Sequence, residues 1–288
     1  MKEQDFPALY LSANDLSLTS QANFFNALKV HLILLVSAAV LSVVSIPHWL
    51  VGVLQVTCLL GALFCSIYLF GKRPDRHWYL GRAVAESIKT ITWRYISRAE
   101  PFQAEDAIAR SEFHQKLKAI VKQNKDVAQA FTNYLDSPQI TDVMTQMRAH
   151  PLEKRRATYA NDRIKDQLTW YANKSSFNRK TSDKCFIALI VINIVAVISA
   201  VIRINFISTP FWPTDIFVAA AASMLSWMQA KRYSELAASY ALAAHEIGLI
   251  REQSLLPDSD EKFSFFVGDS ENAFSREHTQ WIARQDVR

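Results

Sequence analysis

Glycine is scarce in this chain, with six in 288 residues, and between Lys72 and Lys184 only Gly81 occurs. Hairpin strands closed by glycine turns therefore have little support, and neither a glycine-rich phosphate loop nor a nucleophile elbow is present. The three cysteines, Cys58, Cys65 and Cys185, show no paired ligand spacing and read as small apolar fillers rather than a disulfide framework or a metal site. The histidines are scattered: His245 beside Glu246 lacks the second histidine of a zinc helix, Glu277 with His278 stands alone, and His114 and His150 read as solvated or satisfied rather than as ligands. No catalytic, cofactor or metal residue is assigned, and an enzyme is not expected. The most informative absence is of charge. No Asp, Glu, Lys or Arg lies between Lys29 and Lys72, and from Cys185 to Ala230 Arg203 and Asp215 are the only ones.

What fills those stretches is hydrophobic. Half of the chain is hydrophobic, a fraction soluble proteins also reach, but here it is concentrated in blocks. A bilayer core of roughly 30 Å takes about 20 apolar residues per helix, so each block spans twice. Backbone amides in hydrocarbon must be satisfied within their segment, which confines the turns to the far interface. Pro47, His48 and Trp49 mark one turn, and Pro210, Phe211, Trp212 and Pro213 the other. The predicted fold is all-α, an integral membrane protein with four transmembrane helices in two hairpins and a long-helix cytoplasmic region. Lys29, Lys72, Arg73, Arg76, Lys174, Arg179, Lys180, Lys184, Lys231 and Arg232 fall on one side of the spans. Positive-inside bias therefore places both termini in the cytoplasm. The opposite side has Arg203, which can snorkel, and Trp49 and Trp212 suit an aromatic belt. The start Met1 to Asp5 shows no cleavable signal peptide. The net charge of +5 is accounted for by the same bias, so no nucleic-acid partner is expected.

Outside the spans the pattern is helical. Val84, Ile88, Ile91 and Tyr95 repeat at helical spacing and stop before Pro101. A second helix is predicted from Phe102 to Leu135, with Phe113, Leu117, Ile120, Val127, Phe131 and Tyr134 on one face and Pro138 ending it. A short helix follows over Ile140 to Arg148, with Val143, Met144 and Met147. Pro151 then opens a long helix through Ile164, Leu168 and Tyr171 into the third span. After the fourth span, Lys231 to Glu252 is expected to continue as one rod, and a last helix is expected over Ser270 to Arg284. The halves correspond: Lys72 and Arg73 match Lys231 and Arg232, and Glu86 falls close to Glu246. This is a parallel repeat, unlike the inverted repeats of many transporters.

Around the first hairpin, Pro7 to Tyr10, Ala13 to Asp15, Ser17, Gln21, His77 to Tyr79, Arg82 to Ser87, Lys89, Trp93 to Tyr95 and Ala99 to Phe102 stand in order. Around the second stand Arg163, Ile164, Gln167, Trp170, Tyr171, Tyr233, His245, Glu246, Glu271, Phe274, Arg276 to His278 and Trp281. Together these motifs resemble two modules of the SLATT superfamily, the SMODS- and SLOG-associating two-transmembrane effector domains. Asn14 beside Asp15 departs from the usual Ala-Asp pair. The expected division is a first module over 1–100, with spans at about 28–46 and 50–70; a connector over 101–150; and a second module over 151–288, with spans at about 185–205 and 214–230. The resemblance implies a membrane effector of bacterial antiphage, abortive-infection conflict systems, and a homo-oligomer is expected because four helices per chain enclose no obvious channel alone. Such an effector perforates the inner membrane when a nucleotide-sensing or nucleotide-synthesising cytoplasmic partner signals.

Two sets of side chains invite a function. Polar groups in hydrocarbon want partners or water, which makes Gln55, Thr57, Asn193, Ser199, Ser223, Ser226 and Gln229 candidate pore-lining residues. Helix-to-helix hydrogen bonding is the alternative, and Ala219 to Ala222 suit close packing. No acid sits deep in a span, which argues against a proton relay. Trp78, Arg82, Glu86, Lys89 and Trp93 share one helix face and are candidate contacts between modules or subunits; a purely structural helix is the competing reading. Arg163, Gln167, Trp170 and Tyr171 are weighed alike, with Glu246, Glu271 and Trp281 added on the resemblance. A regulated ion channel or transporter, and a membrane-anchored scaffold or sensor, remain as other functional readings.

Overall fold

The computed structural model describes residues 1–46, 48–206 and 211–283, with side chains through Ser275. Pro47, Pro210 and the side chains of Arg276 to Trp281, all singled out above, lie outside the described residues. Every described element is helical. A 3-10 turn at Glu3–Asp5 leads into α1 (Ala8–Val43), α2 (Trp49–Lys72), α3 (Pro74–Ile96), α4 (Asp106–Gln123), the single turn α5 (Lys125–Ala128), α6 (Asp142–Ala149) and α7 (Leu152–Thr158). A π-helical segment, Tyr159–Lys165, joins α7 to α8 (Asp166–Asn205), and α9 (Thr214–Lys231), α10 (Tyr233–Gln253) and α11 (Asp260–Ala283) complete the chain.

Among the described residues, three helical stretches contain a segment long and apolar enough to cross a membrane: Ala8–Val43, Trp49–Ile96, which bends at Arg73, and Leu152–Asn205. The expected fourth span, α9, is not among them, being 18 residues long and carrying Asp215, Gln229 and Lys231.

Local chemistry explains most boundaries. The His48 ring accepts from the Leu50 amide and caps α2. Pro74, which has no amide hydrogen to leave unpaired, opens α3. Thr141 caps α6 through the Met144 amide. The helix expected over Phe102 to Leu135 is a correction: it begins at Asp106 and ends at Gln123. Asn124 breaks it by turning its side-chain amide onto the Ile120 carbonyl, the local bonding that makes Asn a poor helix interior. Tyr134, expected on its buried face, is exposed at positive φ. The single rod expected from α9 into α10 is also broken, at Arg232, which is left-handed. Arg73 between α2 and α3 is left-handed too, so the matched Lys-Arg pairs mark equivalent bends. Glu86 and Glu246 do not share an environment, the first being buried and the second exposed. Helix α11 starts ten residues earlier than the sequence suggested, at Asp260.

The chain forms two compact units. One comprises Met1–Gln21, Asp75–Ala172 and Ala241–Arg288; the other comprises Ala22–Pro74 and Asn173–Tyr240. The first unit has an aromatic core. Tyr95, Phe102 and Phe113 pack with ring centroids 4.8 to 5.8 Å apart, and Trp93, Tyr159 and Phe263 continue the cluster. The second unit is built the other way round. Its buried positions are small, chiefly Ala38, Ala62, Ala196, Ala221 and Ala237, while Phe64, Phe70, Ile187, Val197 and Ile204 face outward. Small residues inside and large apolar residues outside are how helices pack in lipid, where close backbone approach replaces the hydrophobic drive.

Candidate functional site

In the first unit the sequence-selected residues converge on one buried polar cluster. Arg163, carried by the π segment, donates from Nε and Nη2 to the two carboxylate oxygens of Glu271 on α11, at 2.8 and 2.7 Å. The Tyr159 hydroxyl donates to the same carboxylate at 3.0 Å. All three side chains are almost fully buried, and the guanidinium lies 4.9 Å from the Phe274 ring centroid. Burial works against the Arg163 charge, but the Glu271 carboxylate outweighs it and holds the guanidinium above its ordinary pKa. Burial, with the Glu271 charge adding to it, pushes the Tyr159 phenol well up. Among the described residues, Arg163 Nη1 and Trp93 Nε1 find no hydrogen-bond acceptor.

The α3 stripe turns inward to this cluster. Trp93 meets Tyr159 edge-on at 5.8 Å and Phe6 at 6.4 Å. Arg82 pairs with the buried Glu86 at 2.7 Å. Burial lowers the Lys89 ammonium, with Glu86 opposing. Burial, and then the Glu86 charge, raises the Tyr10 phenol. Trp78 stacks on Tyr79, and its carbonyl accepts from the Ser17 hydroxyl. Tyr171 is buried, Gln167 and Trp170 are half-buried, and Trp170 meets Tyr171 at 4.9 Å. Glu246 stands apart on an exposed face of α10. Tyr159, Arg163 and Glu271 are almost fully buried, and their hydrogen bonds tie the π segment to α11.

Two residues that the sequence reading missed do comparable work. Arg148 is buried and donates to the carbonyls of Tyr95, Phe102 and Ala104 and to the Asp106 carboxylate. Arg155 donates to the carbonyls of Ser97 and His150 and pairs with Asp260. Both satisfy carbonyls at and beyond the C-terminal end of α3, which has no further helical turn to receive them. The hint in the sequence was a helix stopped by Pro101 with a run of arginines still to be placed.

In the second unit the polar side chains mostly satisfy themselves. Thr57, Asn193 and Ser226 donate to carbonyls four residues back, at Val53, Leu189 and Ala222. Ser199 is buried and reaches Thr214 at 3.0 Å, tying α8 to α9. Gln55 and Ser223 are half-buried, and Gln229 is exposed. His31, also missed, lies in the first apolar stretch and donates from Nδ1 to the Ala62 carbonyl at 3.0 Å, joining α1 to α2. The Lys231 ammonium sits 3.3 Å from the Phe25 ring centroid, which joins α1 to α9. Among the described residues no group of three or more His, Cys, Asp or Glu could hold a metal.

Apolar stretches able to cross a membrane more than once, joined to a polar helical unit with no metal cluster among its described residues, define a multi-pass helical membrane protein. Residues 7–156 match the family model described as SMODS and SLOG-associating 2TM effector domain 3, and residues 159–281 match that of SMODS and SLOG-associating 2TM effector domain 1. The chain belongs to this family of SMODS- and SLOG-associating membrane effectors, with two such domains in tandem. No curated protein and no solved structure matches it.

Proposed function

We propose that the protein is an effector of a bacterial nucleotide-signalling or antiphage conflict system that oligomerises in the inner membrane and permeabilises it on activation. In this reading α1, α2, the apolar part of α8, and α9 form two membrane hairpins, with both termini and the first unit in the cytoplasm. The trigger is a cytoplasmic partner that makes or senses a nucleotide. One observation carries the reading: the second unit turns its large apolar side chains outward and fills its interior with alanine. That surface needs lipid or further copies of itself around it. Although α9 is the least apolar of the four, it carries Ser223, Ser226 and Gln229, which suits a helix that meets water once several chains assemble.

Induced expression in a bacterium carrying a potential-sensitive dye tests the reading. Rapid depolarisation with growth arrest is expected. Selective flux without toxicity would favour a housekeeping channel, and no flux a scaffold. Replacing Ser223, Ser226 and Gln229 together by Leu is expected to abolish toxicity at unchanged membrane abundance. Undiminished killing by that variant would remove α9 from the conducting path.

A further inference from the structure

The π-helical segment Tyr159–Lys165 interrupts one continuous helix that begins at Leu152 and ends, after its apolar stretch, at Asn205. A π turn carries one residue more than an α turn and collects at functional positions. Its effect here follows from helix geometry. Arg155 precedes it and Tyr171 follows it by a turn and a half, and both are buried in the same unit. At about 100° per residue, an unbroken α-helix would turn Tyr171 about 160° away from Arg155. The extra residue reduces the difference to about 60° and lets both face one core.

What holds the extra residue in place is visible beside it. Tyr159, which opens the segment, and Arg163, four residues further on, both donate to Glu271. The pair is almost fully buried; among the described residues Arg163 Nη1, whose guanidinium lies over the Phe274 ring, and Nε1 of Trp93, which packs on Tyr159, find no acceptor. Arg163 holds Glu271 through two of its nitrogens, so losing that carboxylate would leave a buried guanidinium uncompensated and force the segment to rearrange around it. Asn161 and Asp162 are exposed, Asp162 being paired with the N-terminal ammonium of Met1 at 2.6 Å, so the segment also has a face outside the core.

We propose that Tyr159–Lys165 is a register switch, kept π-helical by Arg163 bound to Glu271, and that release of Glu271 lets it interconvert with regular α-helix, its amide hydrogen bonds opening at each passage. The relaxation turns α8 about its own axis by about 100° and shifts it along that axis by about 1.5 Å. Since α8 contains an apolar membrane-crossing stretch, the same covalent rod that senses the change carries it into the bilayer. This deepens the effector reading and rests on it for its physiological role.

Hydrogen exchange on the full-length protein in detergent, with Glu271→Gln against wild type, tests the switch directly. Amides of 159–166 are expected to exchange roughly tenfold faster or more, while those of α4 keep their wild-type rates. Deleting Asn161 in the Glu271→Gln background removes the surplus residue without changing the faces on either side, and is expected to restore slow exchange. Wild-type exchange in Glu271→Gln, or fast exchange persisting after the deletion, overturns the proposal. If Glu271→Gln loses protection throughout the unit, Arg163→Lys decides, since it keeps the charge and loses the fork. Acceleration confined to 159–166 supports the switch, and a uniform change overturns it. Depolarisation is read separately: a wild-type protein that leaves the membrane potential intact defeats the effector reading, while the exchange results still judge the switch.

Discussion

Arg148 shows how much one side chain contributes when its charge is buried and fully used. Its guanidinium serves three backbone carbonyls and Asp106 while lying 4.8 Å from the Tyr95 ring centroid. Arg148→Met is expected to lower stability by about 3–5 kcal/mol, because three enclosed carbonyls lose their donor at once; thermal unfolding in detergent measures it. Arg148→Lys is expected to recover little, since a point charge cannot follow a planar fork. The buried phenols make a second residue-scale prediction. Tyr10 and Tyr159 are both raised in the folded chain, so the fold keeps protons that an unfolded chain releases near pH 10. Their contribution is complete below that pH and is lost as pH rises through the folded values. Lys89, lowered by burial, has the opposite sign: its cost is present at lower pH and is relieved as pH rises. Comparing Tyr159→Phe with wild type from pH 8 to 11 separates the two, and the variant is expected to lose less stability across the alkaline limb.

Among the elements, α1 and α3 approach closely at one place. A Cβ on Gly81 would lie 3.1 Å from the Ala13 carbonyl oxygen and 3.2 Å from the Ser17 amide nitrogen, both backbone atoms that cannot swing aside. Gly81→Ala gains about 1 kcal/mol of helix propensity but overpacks the contact by about 1–3 kcal/mol. A net loss near 1 kcal/mol is expected in a denaturation series, with Gly81→Leu far worse. Much of this element layer was legible in the sequence. The uncharged blocks gave α1, α2 and the apolar part of α8, and Val84, Ile88 and Tyr95 gave the buried face of α3, because periodicity and charge act locally. The breaks were harder to read. Asn124 stops a helix by bonding to its own backbone, and Arg73 and Arg232 adopt a left-handed conformation that sequence signals assign to Gly or Asn. The Arg163–Glu271 pairing was not legible at all: the two residues were named as motif members, but only the packing of α11 against the π segment brings them together.

For the whole molecule, the contrast between an aromatic-cored unit and an alanine-cored one sets its behaviour in solvent. Extraction from membranes is expected to require detergent. Orientation is checked with Cys58, Cys65 and Cys185 replaced by Ala and a single cysteine introduced at Trp49 or Lys72. A membrane-impermeant maleimide is expected to label the cysteine at 49 in intact spheroplasts, and the one at 72 only after permeabilisation; the reverse pattern would invert the topology. The core of the first unit has a further consequence. Trp93 comes from the stretch matched by one family domain, with Phe6 just ahead of it, and Tyr159, Arg163 and Glu271 from the stretch matched by the other. A cut between Ala157 and Thr158 would therefore divide one packed cluster between two polypeptides. Tandem fusion thereby fixes the two domains at one to one within each chain.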